Sequence, residues 1–193
     1  LRSGRKVKFQ TALEGVRCWD AQTQAIYEER GEPIDDCILQ NREELIALCE
    51  LIAEMEVRSF LEIGIWTGRL TSTLHALFGF DKVAACDHGY VRQLGLEINL
   101  PKEAHFLEAD SDSEAFLRWR EELGHVDLVF IDANHSYRAV KRDFEINRAF
   151  SHRFLAFHDI SGANRHTRGV ARFWNELSDG YKLEIIRPHR EIG

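Results

Sequence analysis

Five stretches of this 193-residue chain hold side chains whose types and spacing suit chemistry. The first is Phe60–Leu70, which reads Phe-Leu-Glu-Ile-Gly-Ile-Trp-Thr-Gly-Arg-Leu. Gly64 and Gly68 let the backbone turn tightly and approach a ligand. A helix starting after them points free N–H groups at the loop, which suits a carboxylate or a phosphate. Glu62 would repel a pyrophosphate but can accept a hydrogen bond from an ammonium group. Acid plus glycine turn therefore suits an amino-acid zwitterion, and the dinucleotide fingerprint GxGxxG is absent. Trp66 lies inside the loop, where it could touch a cofactor or a lid. The alternative is an ordinary tight strand-to-helix turn.

The other four stretches place acids and imidazoles after apolar runs. Asp87 follows Lys82–Cys86, at a distance from the glycine loop that suits hydrogen bonding to ribose hydroxyls. Asp110 and Ser111 follow a third run and would lie near the base of a nucleoside, with helix capping as a second role for Ser111. Asp132 closes Val126–Ile131, and His158-Asp159 closes Arg153–Phe157. If those two runs are neighbouring strands, both carboxylates face one cleft and repel unless a cation or a proton lies between them. A divalent ion such as Mg²⁺ suits such a pair and could lower the pKa of a chelated hydroxyl. The alternative is that Asp132 and Asp159 cap helices or bind a cofactor directly. His135, three residues after Asp132, titrates near neutral pH and can accept a hydroxyl proton.

These positions need elements to hold them. Asn41 followed by Glu44 has the look of a helix cap. Leu45, Leu48, Cys49 and Ile52 then recur at helical spacing. Phe60–Ile65 predicts a strand, and Leu70, Leu74, Leu77 and Phe78 mark one face of the next helix. Lys82–Cys86 and Ala104–Glu108 predict strands, with a helix over Val91–Leu100 between them. Ser111 to Glu114 reads as a capping box opening another helix. Val126–Ile131 is the clearest buried strand; Ser136–Phe150 predicts a helix, Arg153–Phe157 a strand, Arg168–Leu177 a helix and Tyr181–Ile186 a last strand. This alternation predicts an α/β sheet of parallel strands with helices on both faces. Ligands of such sheets bind beyond the carboxyl ends of the strands, where the polar residues fall.

The length suits one domain over residues 38–193, preceded by residues 1–37 as a helical arm or lid, with a weak helical pattern over 10–31 ending at Gly31-Glu32-Pro33. The net charge of −7 argues against non-specific nucleic-acid binding. The basic start, Arg2, Arg5, Lys6 and Lys8, reads as a solvated segment. No apolar run reaches the ~20 residues of a membrane span. Cys18, Cys37, Cys49 and Cys86 show no metal-site spacing, which makes buried thiols and a cytoplasmic setting the expectation. A homo-oligomer stays open.

The chain resembles a known family. Glu-x-Gly-x-x-x-Gly after a first strand is similar to the first motif of class I S-adenosylmethionine-dependent methyltransferases. Phe-Ile-Asp-Ala-Asn-His-Ser-Tyr-Arg-Ala-Val (130–140), Phe-His-Asp-Ile (157–160) and Gly-Val-Ala-Arg-Phe-Trp-Asn-Glu-Leu (169–177) resemble segments of the subfamily related to macrocin-type and catechol-type O-methyltransferases. The resemblance covers roughly residues 38–186. It implies a Rossmann-like, seven-stranded, mostly parallel sheet with one reversed strand. It implies S-adenosylmethionine held by Glu62, Gly64, Trp66, Gly68, Asp87, Asp110, Ser111 and Asp132, and O-methylation of a small hydroxylated molecule. It also implies Asp132 as a metal ligand and His135 as general base; Asp159, facing the same cleft, and His158 beside it are the further candidate ligands. His158 departs from the family, which often has Asp-Asn or Glu-Asp here. An imidazole favours Mn²⁺, Fe²⁺ or Zn²⁺ over Mg²⁺, or no metal at all. The competing readings are a nicotinamide-linked oxidoreductase, opposed by the missing GxGxxG, and a non-catalytic binding protein on the same fold.

Overall fold

The computed structural model describes residues 8–30, 34–162, 164–178 and 180–185. Arg2, Arg5, Lys6 and Gly31-Glu32-Pro33, read above from the sequence, lie outside them, as does Ile186. The elements run α1 (Ala21–Arg30), α2 (Arg42–Glu54), β1 (Ser59–Ile63), α3 (Arg69–Phe78), β2 (Lys82–Asp87), α4 (Tyr90–Gln93), β3 (His105–Glu108), α5 (Glu114–Leu123), β4 (Val126–Ile131), α6 (Tyr137–Arg148), β5 (His152–Phe157) and α7 (Arg168–Glu176).

The five strands form one parallel sheet in the order β3-β2-β1-β4-β5. The central strands β1 and β4 are buried at every position, as continuous apolar runs predict for strands covered on both faces. Successive side chains alternate between the two faces. Phe60, Val83, Leu128 and Phe130 pack on one side with Leu45, Cys49 and Ile52 of α2 and Leu70 and Leu74 of α3. Leu61, Ile63, Ala84, Cys86, Val129 and Ile131 pack on the other with Phe116 and Leu123 of α5. Strand order reverses between β2-β1 and β4, which opens a crevice at the carboxyl ends of β1 and β4.

The N-terminal part joins the same core. Phe9, Leu13 and Cys18 belong to the α2–α3 cluster. Cys18 bridges Ile38 in parallel, and Arg42 donates to Leu13 O (2.7 Å) and to Val16 O. The expected helix over 10–31 is split: residues 8–12 are helical, a turn follows at Gly15, and α1 begins only at Ala21.

Four further expectations need correction. The sheet has five strands among the described residues, not seven, and every pairing is parallel. Residues 181–185 form no strand, because their polar side chains dock on α7 instead. Lys182 Nζ donates to Trp174 O (2.5 Å) and Trp174 Nε1 donates to Glu184 Oε1 (2.6 Å), leaving Tyr181 and Leu183 exposed. The predicted helix Val91–Leu100 is only the single turn α4. Gly95 leaves helical space at φ +76°, and Asn99 is held against the glycine loop by Asn99 N–H to Thr67 O (2.8 Å) and Ser72 Oγ to Asn99 O (2.6 Å). The cap of α5 is Ser113, whose side chain accepts from Phe116 N–H, because the Ser111 hydroxyl donates to Asp143 Oδ1 (2.6 Å).

One glycine is required by contact as well as by backbone angle. Gly64 has φ +82°, and a Cβ there would lie 2.3 Å from Asp132 O and 2.5 Å from Ala133 Cα. Gly79 at φ +58° has nothing within 4 Å of the same position. Gly64→Ala should therefore lower unfolding free energy by on the order of 3 kcal/mol or more, and Gly79→Ala by about 1 kcal/mol. Urea unfolding of both variants checks this; equal losses would contradict it.

Candidate active site

The crevice is a cavity of about 460 Å³. Glu62, Gly64, Trp66, Asp87, Asp110, Ser111, Asp132 and His135 all line it, so most of the residues singled out in the sequence meet in one place. Gly68 stands behind the wall in the left-handed conformation that starts α3, and a Cβ there would meet Asn99 O at 2.9 Å. The loop between β1 and α3 is held from both sides. Gly64 N–H donates to Cys86 O (2.8 Å), and Ile65 N–H donates to Asp87 Oδ2 (3.1 Å). Asp87 Oδ1 takes Gly89 N–H (2.7 Å). Each Asp87 oxygen thus holds one backbone donor and keeps acceptor capacity for another.

Glu62 is 2% exposed. Its carboxyl accepts from Thr71 N–H (3.1 Å) and from the Thr71 hydroxyl, so it caps the first turn of α3. Burial pushes this carboxyl up to about 8, with Asp132 and Asp87 adding to the rise against the Thr71 hydrogen bonds. A ligand ammonium beside it would draw off the proton and leave an ion pair.

A second group gathers at the ends of β4 and β5. His135 Nε2 lies 3.0 Å from Asp132 Oδ1 and 3.6 Å from Asp159 Oδ2. His158 Nδ1 lies 3.4 Å from Asp132 Oδ1 and 3.5 Å from Asp159 Oδ2. Burial opposes ionisation of Asp132, yet the attraction of His158 and the His135 hydrogen bond outweigh it and hold the carboxyl at about 2. Burial also opposes charge on His158, but Asp132 raises its pKa well above the ordinary imidazole value. The hydrogen bond to Asp132 raises His135 likewise. Two imidazoles and two carboxylates thus form one cluster. Donor atoms of Asp132, His158 and Asp159 lie within 4.8 Å of one another, a spacing a small divalent ion could bridge. Asp159 takes φ +58° and Trp66 φ +50°, left-handed angles that side chains other than glycine seldom adopt. Gly169, in the first turn of α7, would bring a Cβ within 2.3 Å of His135 O, so α7 buttresses the turn that carries the imidazole.

Several wall residues escaped the sequence reading. Ile38, Leu39 and Gln40 form a wall from the N-terminal side. This wall is fixed by Trp66 Nε1 to Ile34 O (2.6 Å), Arg69 Nε to Asp35 O (2.8 Å) and Gln40 Nε2 to Asp132 Oδ2 (2.9 Å). The Trp66 indole N–H thus anchors the N-terminal segment. Tyr90 and Arg142, the latter paired with Asp112 at 2.5 Å, line the end near Asp110. No spacing rule marks a lone glutamine before a helix, and Arg142 lies in helical periodicity as a surface residue.

A family profile described as "Methyltransferase domain" matches residues 61–160, more than half of the chain. The chain belongs to this methyltransferase domain family. The matched span runs from β1 to just beyond β5 and carries Glu62, Gly64, Gly68, Asp87, Asp132, His135, His158 and Asp159. Among solved structures, the methyltransferase domain is similar to an O-methyltransferase from Bacillus cereus in complex with S-adenosylhomocysteine. Identity is 17%, with 91% of this chain and 86% of that one covered at a TM-score of 0.51. A Staphylococcus aureus protein named as a caffeoyl-CoA O-methyltransferase matches at 16% identity, 89% and 86% coverage and a TM-score of 0.52. These likenesses show a Rossmann-like methyltransferase fold. No curated protein matches the chain.

The raised Glu62 carboxyl has a consequence for stability. A group whose folded pKa exceeds its unfolded value of 4.5 stabilises the fold fully below 4.5 and loses that contribution as pH rises through about 8. Glu62→Gln keeps an acceptor for Thr71 without the titration. Between pH 5 and pH 9 the parent should lose roughly 2–5 kcal/mol more than the variant in urea unfolding. Parallel pH profiles would contradict the assignment.

Proposed function

We propose that this methyltransferase domain transfers a methyl group from S-adenosylmethionine to a hydroxyl oxygen of a small acceptor. The observation that carries the reading is the meeting, in one cavity, of the glycine loop, Glu62, Asp87 and the Asp132–His135 pair. In this reading Glu62 receives the ammonium of the methionine part, and the Gly64–Gly68 loop lies along its backbone. Asp87 accepts ribose hydroxyls, and Asp110 and Ser111 lie towards the adenine. Trp66 and residues 38–40 close the cavity from the N-terminal side, held there through Ile34 and Asp35, which is the role we give the described end of the N-terminal arm.

Methyl transfer is an in-line displacement: an O–C bond forms as the C–S bond breaks, and the hydroxyl proton must leave. The domain's task is to align the oxygen with the methyl group and to receive that proton. We assign the proton to His135. Its contact with Asp132 raises its pKa, so it accepts a proton readily but must first be deprotonated itself, and turnover should rise with pH above the ordinary imidazole range. Asp132, His158 and Asp159 fit a divalent cation, and one nitrogen with two carboxylates favours Mn²⁺ or Fe²⁺ over Mg²⁺. A cation there would lower the pKa of an acceptor hydroxyl.

Calorimetric titration with S-adenosylhomocysteine and with Mn²⁺ tests the assignments separately. Asp87→Ala should weaken S-adenosylhomocysteine about 10- to 100-fold by losing charge-assisted hydrogen bonds. His135→Ala should leave that affinity within about twofold while cutting methyl transfer at least 100-fold. Asp159→Asn should weaken Mn²⁺ and leave S-adenosylhomocysteine unchanged. Cofactor affinity indifferent to Asp87→Ala would overturn the ribose assignment, and turnover indifferent to His135→Ala would remove the base.

A further inference from the structure

The acid–histidine cluster stands between two cavities. Asp132 and His135 face the cavity already described, whereas His158 and Asp159 lie at one end of a second cavity of about 720 Å³. Beyond that polar end its lining is mainly apolar, including Leu48, Phe130, Phe154 and Trp174. Its size falls within the ~300–1,000 Å³ typical of small-molecule sites. Among the described residues, Gln40 is the one that lines both cavities.

Gln40 is 5% exposed, and its backbone carbonyl is held by Trp19 N–H (3.1 Å). Its side chain donates from Nε2 to Asp132 Oδ2 (2.9 Å). A carboxylate only accepts, so the NH₂ group must face Asp132 and the amide oxygen must face away. That oxygen is buried and has no hydrogen-bond partner among the described residues. A buried acceptor without a donor is costly to keep, and its position between two cavities suits a donor brought by a ligand.

We propose that the second cavity takes the methyl acceptor, an apolar molecule with a hydroxyl at one end, and that the Gln40 amide oxygen receives that hydroxyl at the junction with the cofactor cavity. The proposal rests on the methyl-transfer reading. The hydroxyl hydrogen bonds to Gln40 in the resting complex, which fixes the oxygen beside the cluster. As the O–C bond forms and the C–S bond breaks, the hydroxyl hydrogen turns from Gln40 to deprotonated His135, which takes the proton, and the amide stays neutral. Gln40 thereby selects acceptors that carry a donor at their tip.

Fluorescence titration of the full chain with 2-naphthol and with 2-methoxynaphthalene, both under saturating S-adenosylhomocysteine, tests this. The two probes share an apolar ring system, and only the first can donate. Gln40→Leu should weaken 2-naphthol about tenfold and leave 2-methoxynaphthalene within about twofold. Gln40→Met, closer in shape, should do the same. Ala156→Leu, on the apolar wall, should weaken both probes. Far-ultraviolet circular dichroism, unchanged in each variant, shows that the fold is kept, and S-adenosylhomocysteine is held at saturation for each variant separately. If the parent binds neither probe, or if Gln40→Leu weakens both alike, the proposal is overturned while the cofactor assignment stands. If the parent does not bind S-adenosylhomocysteine, the methyl-transfer reading fails and the proposal fails with it.

Discussion

The ends of β1 and β4 approach so closely that only a glycine fits at position 64. Asp132 N–H donates to Ile63 O (2.8 Å), and the Asp132 carbonyl lies where a Gly64 side chain would begin. That contact sets the distance between the glycine loop and the acid–histidine cluster. With β1 and β4 adjacent in the sheet, the loop must turn away at Gly64 towards β2, where Asp87 receives the Ile65 N–H. The same turn delivers the chain to α3, whose first turn is capped by Glu62 from the strand just left. One backbone approach therefore fixes the loop, the start of the helix and the position of three acids around one crevice.

Those three acids meet burial in different ways. Glu62 is buried with hydroxyl and amide donors and, among the described residues, no cation beside it, so its carboxyl is held up near 8 and keeps its proton at neutral pH. Asp87 is bound by two backbone N–H groups of neighbouring turns. Asp132 faces two imidazoles and is held down near 2. The crevice thus has a carboxyl at one end that a ligand cation could ionise, and a carboxylate held between two imidazoles at the other. Sites that pair perturbed groups of opposite tendency are the ones suited to binding charge and moving protons.

The strands that frame this crevice were legible because burial on both faces leaves continuous apolar runs. Val126–Ile131 has in the sequence the bounds the structure gives, and Asp87, Asp132 and His158-Asp159 each stand at the end of such a run. Elements whose fate depends on distant partners were not legible. Val91–Leu100 has apolar spacing fit for a helix, yet Asn99 is taken by the glycine loop. Ser111 reads as the cap of α5 from sequence, yet Ser113 takes that place while Asp143 on α6, 32 residues away in sequence, binds the Ser111 hydroxyl. Gln40 carried no signal, since its meaning comes from Asp132 at a separation of 92 residues. Tyr181–Ile186 alternates like a strand, but Lys182 and Glu184 find partners on α7.

The central claim is that this crevice holds an amino-acid cofactor with its ammonium on Glu62. Its most direct test is calorimetry of S-adenosylhomocysteine binding at pH 7 in two buffers of different ionisation enthalpy. The account predicts micromolar binding with release of about one proton, lost from Glu62 as the ammonium arrives, and no such release from Glu62→Gln. Absence of binding at millimolar ligand would contradict the account outright, and binding with a heat independent of buffer would place the ammonium elsewhere.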